Sequence, residues 1–451
     1  MRPYKVLLFF ACVLACLAAL CFVLPGRVAF AGTEVRWPTL AEVMGSTEHG
    51  IEGIEALDTL EALDTLEALE TLETADTVVP EKPKPVVPPK VVVDSTTDSR
   101  IFLQSFYASL SQTGERRVRV LHYGDSQIEE DRMTMQIREA LQKRYGGQGV
   151  GLMPLAQTIP TRTTRQELQM NGKIITPQNG PKRYLVYGPK RDQRKDGMYG
   201  VMGQVAILAD SLVSGSEQVL AVCKPQMESA HYEHWKIFAD STISYETNGD
   251  TVRLNGKGAV YGLSQESDMG VIVDNIPMRG CLGLVFTKID STQLATFYAE
   301  ENVKLIILQF GGNAIPFNEQ PSTIQGIVKG LREQVQYVQR CAPEASILFI
   351  GPSDMIRMKD GVWQTYPMVP YMDKLLRKMA LEENIAYFSL FRWMGGSGSM
   401  LRWQEAGLAG SDGVHFYRSG ARKAGNAVAE WILGGMSTEH RAQNTDQITK
   451  E

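Results

Sequence analysis

The sequence predicts an α/β protein: a parallel sheet with helices on both faces, interrupted by an all-β module. Three observations lead there. Short apolar runs recur from about residue 118 onward, and helical patterns lie between them. That alternation indicates a parallel sheet covered on both sides. The first run enters a tight Gly124-Asp125-Ser126 turn before a helical pattern. From 155 to 267 the pattern changes to many short strands punctuated by turn signals, as in a β-sandwich.

The N-terminal segment 1–31 has the character of a targeting signal. Arg2 and Lys5 precede an apolar run from Val6 to Leu24, and Ala29-Phe30-Ala31 offers a small-residue cleavage site. The run is also long enough to span a bilayer, so a cleaved signal peptide and an uncleaved membrane anchor both fit. A lipoprotein through Cys16 fits less well, because the apolar run continues past it. Positive charge ahead of the run favours export of the rest of the chain, to the periplasm or cell surface.

Residues 32–98 are expected to be a tether. A six-residue repeat runs from Glu55 to Leu72, with leucines every third position. On a helix that stripe drifts around the cylinder and makes no steady packing face. A proline-rich stretch from Pro80 follows, the composition of an extended spacer.

The folded body begins near Ser99. Val118 to Tyr123 reads as a strand. Ile128, Met133, Ile137 and Leu141 then mark a helical face that stops at Gly146-Gly147. Residues 99–154 are thus the first part of the α/β domain. Within 155–267, strand patterns occur at 183–187, 203–208, 218–222, 234–238, 242–245 and 251–254. The second part, 268–435, has apolar strands at 305–310, 346–350 and 385–388. Helical patterns run from Ile324 to Cys341, Tyr371 to Glu383 and about Ser419 to Leu433. A polar tail, 436–451, closes the chain.

Composition narrows the function. The 451 residues carry a net charge of −5 and no basic stripe interleaved with aromatics, which argues against a nucleic-acid partner. Of six cysteines, three lie in the leader. Cys223, Cys281 and Cys341 remain, an odd number that cannot close a disulfide framework, and they read as small buried hydrophobes. His231-Tyr-Glu-His234 lacks metal-site spacing, because an odd offset on a strand puts the histidines on opposite faces. Gly147, Gly149 and Gly151 follow a helix instead of opening one, so no dinucleotide loop is expected. Trp393, Trp403 and Trp431 read as packing residues. Trp235, in the inserted module, is the better candidate for stacking on a sugar.

The chemistry-bearing residues fit acyl transfer, which needs a nucleophile, a base, an orienting acid and oxyanion donors. Ser126 sits where the first strand meets the following helical pattern, near helix-start N–H groups, although a capping serine fits there too. In Asp412-Gly-Val-His415 a local turn can bring the carboxylate to Nδ1, leaving Nε2 to take the serine proton. Asn313, in Phe310-Gly-Gly-Asn313, can donate its side-chain N–H to an oxyanion or simply serve a turn. Gly280 is a place where bare backbone can approach a substrate.

Together these four segments resemble the SGNH/GDSL hydrolase family. Gly124-Asp125-Ser126 is similar to its first block, with Gln127 where the common motif has leucine. Gly280 is similar to the second, Gly311-Gly312-Asn313 to the third, with Ala314 in place of the usual aspartate, and Asp412 to His415 to the fifth. The resemblance implies a three-layer α/β/α, flavodoxin-like fold with a five-stranded parallel sheet. It implies Ser126, Asp412 and His415 as catalytic residues, and Ser126, Gly280 and Asn313 as the oxyanion hole. It also implies an esterase that needs no cofactor or metal. The segments 122–128, 351–355 and 394–400 resemble envelope members of Bacteroides-type bacteria. Related peptidoglycan O-acetylesterases share an exported placement and a carbohydrate-binding-like insertion. The expected partner is therefore an acetylated polysaccharide or peptidoglycan, with the membrane a second partner if the leader is uncleaved. The alternatives are a lipid acyl-ester hydrolase or acetyltransferase on the same fold, or a non-catalytic glycan-binding envelope protein.

Overall fold

A computed structural model describes residues 98–153, 161–170, 173–175, 207–208, 219–225, 234–239, 243–248, 251–256 and 259–434, with two short strands, Arg27–Phe30 and Thr33–Arg36. The chain divides into two units, 1–71 and 72–451. In the first, the two short strands pair antiparallel. The apolar run, the leucine repeat, the proline-rich spacer, the 183–187 strand pattern and the polar tail lie outside the described residues. No helix among the described residues is long and apolar enough to cross a membrane.

The second unit is built on a five-stranded parallel sheet. Its strands are β1 (Arg117–Gly124), β2 (Gly270–Pro277), β3 (Val303–Gln309), β4 (Ser346–Ile350) and β5 (Ala386–Phe388). Their order is β2-β1-β3-β4-β5, every neighbour parallel. Its longer helices are α1 (Thr134–Tyr145), α2 (Ser291–Glu300), α3 (Pro321–Cys341), α4 (Met368–Glu382) and α5 (Arg418–Gly434).

Strand side chains alternate between faces, so each strand feeds two cores. Val118, Val120, Val271, Val273, Leu305, Ile307, Leu348 and Ile350 pack with Met133 just before α1, with Ile137 and Leu141 of α1, and with Ala421, Ala424, Val428 and Ile432 of α5. The residues between them, among them Leu121, Ile272, Ile306, Leu308 and Phe349, are buried on the other face. There Tyr123 meets Phe286 edge-on, and its hydroxyl lies 3.5 Å from that of Tyr298 on α2. Full burial of each aliphatic side chain stabilises by about 1.5–3 kcal/mol. This two-sided burial is why the strands read as continuous apolar runs.

The all-β stretch forms two antiparallel sheets between β1 and β2. One has the order Ile243–Asn248, Thr251–Gly256, Val219–Pro225, Thr164–Met170, Lys173–Ile175. In the other, Ala259–Glu266 lies between Gly151–Met153 and Ile207–Leu208 and also pairs with His234–Ala239. Trp235 is half-buried within that last strand, and Trp403 is buried while Trp393 is partly exposed. Cys341 is buried, as expected. Cys281 is only half-buried, because it lies in the turn after β2, and its sulfur accepts the Gly283 N–H.

Candidate active site

Each candidate residue follows the carboxyl end of a sheet strand or the loop before α5. This is the edge where open α/β sheets place ligands. β1 ends at Gly124, and the Asp125 N–H donates to the Gln309 carbonyl of β3 at 3.2 Å. Ser126 then opens a short 3-10 segment, Ser126–Asp131, and α1 starts only at Thr134. The expected regular helix directly after Ser126 is therefore absent, and so are its aligned N–H groups. The capping role also falls elsewhere: Asp125, not Ser126, accepts the Gln127 N–H, at 2.9 Å.

The segment kinks because Glu130 and Asp131 both take positive φ, 61° and 60°. Such a conformation costs a non-glycine residue free energy and persists only when the surroundings fix it. Here the surroundings come from the start of the all-β stretch. The Arg162 N–H donates to the Glu130 carbonyl at 3.0 Å, and the Arg162 guanidinium meets the Glu130 carboxylate at 2.6 Å. The Thr163 hydroxyl donates to the Asp131 carboxylate at 2.8 Å, which Arg138 also holds.

Ser126 Oγ lies 2.8 Å from His415 Nε2, and His415 Nδ1 lies 2.7 Å from Asp412 Oδ2. The loop that carries this pair is closed at its base by a bridge between Ala409 and Phe416. The second oxygen of Asp412 accepts the N–H groups of Val414 and His415, at 2.9 and 3.0 Å. Burial alone would raise the Asp412 carboxyl. Those N–H groups and the imidazole outweigh it and hold the carboxyl below its ordinary value. Gln127 ties the two halves together, its side-chain N–H donating to the Val414 carbonyl at 2.7 Å.

Ser126 and His415 line an open cleft of about 400 Å³, together with Asp125, Glu129, Arg279, Gly280, Asn313 and residues of the 352–355 segment. Gly280 is the third residue of a turn closed by the Cys281 N–H donating to the Met278 carbonyl at 3.1 Å. Its φ of +72° suits glycine, and a Cβ there would meet nothing within 4 Å. Asn313 Nδ2 donates to the Cys281 carbonyl at 3.1 Å and, more weakly, to Asp125 Oδ2 at 3.3 Å. Catalytic donors in unliganded sites often sit in looser bonds that give way to the reacting oxygen. Burial pushes the Asp125 carboxyl up to about 6, against the Gln127 N–H, His415 and Arg132, which favour its ionised form.

The structure thus brings Ser126, Gly280, Asn313, Asp412 and His415 to one cleft. Sequence reasoning missed Glu129 and Arg279, which both line the cleft and form a two-bond ion pair at 2.7 and 2.8 Å. No short-range pattern links positions 150 residues apart. No three histidine, cysteine or acidic side chains among the described residues form a group that could hold a metal. His231 lies outside the described residues, and His234 opens the strand His234–Ala239.

No family model matches the chain, and no curated protein does. Among solved structures, a peptidoglycan O-acetylesterase is similar at a TM-score of 0.56 and 19% identity, covering 76% of this chain and 97% of that one. A carbohydrate acetylesterase from Sinorhizobium meliloti (18% identity, 36% of this chain and 79% of that one) has a TM-score of 0.27. A GDSL-like lipase from Parabacteroides merdae (18%, 37% and 74%) has a TM-score of 0.28. The last two overlap too little of the chain to carry weight. The first covers most of this chain and nearly all of that one, so the two share an α/β/α fold on a central parallel sheet, the fold that the resemblance to SGNH/GDSL hydrolases implies.

Proposed function

We propose that this chain is a serine ester hydrolase that removes O-acetyl groups from a cell-envelope polysaccharide, with peptidoglycan the favoured polymer. The observation that carries the reading is the continuous relay from Ser126 Oγ through His415 to Asp412 at 2.8 and 2.7 Å, open to the cleft. In the reaction the Ser126 oxygen attacks the acetyl carbonyl carbon while its proton passes to His415 Nε2. Asp412 keeps the ring in the tautomer with Nδ1–H and stabilises the imidazolium. Negative charge on the carbonyl oxygen is met by the N–H groups of Ser126 and Gly280 and by Asn313. Collapse of the tetrahedral intermediate breaks the bond to the sugar oxygen, which takes the proton from His415. Water, deprotonated by His415, then attacks the acyl-serine, and acetate leaves.

The acetylated-glycan reading is supported by the similar fold of a peptidoglycan O-acetylesterase, of which this chain covers 97%. Placement at the envelope rests on the apolar N-terminal run and the proline-rich spacer. Acetate release from O-acetylated peptidoglycan and from acetylated xylan tests the reading with the full chain and Ser126→Ala. The parent should release acetate, faster from peptidoglycan, and the variant should lose at least about a thousandfold. A parent silent on both polymers would refute it.

A further inference from the structure

We propose that Glu129 is a positioning residue for the oxyanion hole, acting through Arg279 on the Gly280 N–H. The inference deepens the esterase reading and rests on it. Glu129 is nearly fully buried in the kinked segment three residues after Ser126. Its two carboxylate oxygens accept Arg279 Nε and Nη2 at 2.7 and 2.8 Å, the parallel two-bond geometry that fixes a guanidinium in both position and plane. Arg279 and Gly280 are the two central residues of the turn from Met278 to Cys281.

The Gly280 N–H belongs to the peptide between those two residues. That peptide is the part of a turn that reverses when one turn type converts to another. Its backbone bonds among the described residues lie at the ends of the turn: the Met278 N–H donates to the Gly124 carbonyl at 2.7 Å, and the Cys281 N–H closes the turn. Gly280 itself has open space where a Cβ would stand, so no packing resists rotation there. The Arg279 side chain is thus the tether closest to the peptide, and its anchor lies on the nucleophile's own segment. The tether links the turn that carries Gly280 to the segment that carries Ser126, both lining the cleft. The Cys281 carbonyl at the end of the same turn accepts Asn313 Nδ2 at 3.1 Å, so a turn that shifts disturbs a second donor. An oxyanion donor acts only when it is already aimed at the place where charge develops. Glu129 supplies that aim without touching substrate.

The test compares the full-length parent with Glu129→Gln, Arg279→Gln and the double variant, using p-nitrophenyl acetate. Each single change should lower kcat and kcat/KM together, by roughly tenfold to a hundredfold, which marks an interaction made only in the transition state. The double variant should be no slower than the worse single one, as for two residues of one tether. In parallel, amide hydrogen exchange across residues 278–283 should quicken in Glu129→Gln while the urea midpoint stays near that of the parent. Unchanged kcat overturns the proposal. So does a rise in KM with kcat intact, which would make Arg279 a substrate contact, and so do additive losses. If Glu129→Gln fails to fold, Arg279→Gln, altered at the exposed end of the pair, carries both measurements. A parent inactive on every ester would sink the esterase reading instead, and exchange at 278–283 would then judge the tether alone, unchanged exchange refuting it.

Discussion

Asp125 is placed where its ionisation is costly. It is buried beside Ser126, with one oxygen on the Gln127 N–H and the other near Asn313, and burial raises its carboxyl to about 6. A carboxyl raised in the folded state stabilises the fold most below its unfolded value and loses that contribution as pH climbs through the folded value. The parent should therefore lose about 3 kcal/mol between about pH 4 and pH 8 that Asp125→Asn does not lose. Urea unfolding of both proteins at the two pH values measures it, and parallel pH dependences would contradict it. The relay pair was legible in the sequence because its geometry is local: three positions before His415, Asp412 reaches the ring and also caps its own loop. Ser126 was legible through the turn, although that turn leads into a kinked segment instead of a helix. Glu129 was not legible, because its meaning depends on Arg279, which parallel pairing of β1 with β2 brings beside it.

Strands buried on both faces announce themselves where an apolar run is long enough, and β1 does so although it buries Arg119. β1, β3, β4 and β5 stand out as apolar runs. β2 is as deeply buried, yet Asp274 and Asn275 interrupt its pattern. Asp274 is tolerated there because Arg119 of β1 meets it at 2.9 and 3.0 Å. Helix α2 escaped notice for another reason. It is only ten residues long, and its start is fixed by the Asp290 carboxylate accepting the Thr292 and Gln293 N–H groups. The link between the Ser126 segment and the 412–415 loop also belongs to elements. Gln127 donates to the Val414 carbonyl, while its own side-chain oxygen is buried with no hydrogen-bond partner among the described residues. Gln127→Leu gives up one bond of about 1 kcal/mol and relieves a buried oxygen whose cost is similar. Stability should change by less than about 1 kcal/mol, a larger loss in urea unfolding counting against this account.

The antiparallel sheets were legible as a change of pattern, but their attachment to the parallel sheet was not, because it is made by buried charge. Arg119 in β1 is fully buried and meets Asp274 of β2, Glu266 at the end of Ala259–Glu266, and Glu301 just after α2 at 3.1 Å. Arg117 joins Glu266, and Lys236 of the strand His234–Ala239 joins Glu301. The Ser264 hydroxyl and the Leu152 N–H donate to the Glu266 and Asp274 oxygens that Arg119 also holds, at 2.6 and 2.9 Å. Three cations thus face three carboxylates where the two kinds of sheet meet. Burial opposes the charge on Arg119, but the three carboxylates overcome that and raise its value. Taking away one partner of such a network costs far more than the network adds, because the remaining charges stay buried. Arg119→Met should accordingly destabilise the chain by about 3–5 kcal/mol near neutral pH. The loss should also depend on acidity in a definite direction. Burial already raises the Asp274 carboxyl in the parent, and Arg119 helps to hold Glu266 below its ordinary value; without the guanidinium Asp274 rises further and Glu266 loses that support. The penalty then applies above their raised values and fades as pH falls and both take up protons. The gap in urea midpoint between parent and variant should shrink from about pH 8 to about pH 5. A gap that stayed constant would mean that Arg119 stabilises by packing alone, and that its charge does not hold the antiparallel sheets to the parallel one.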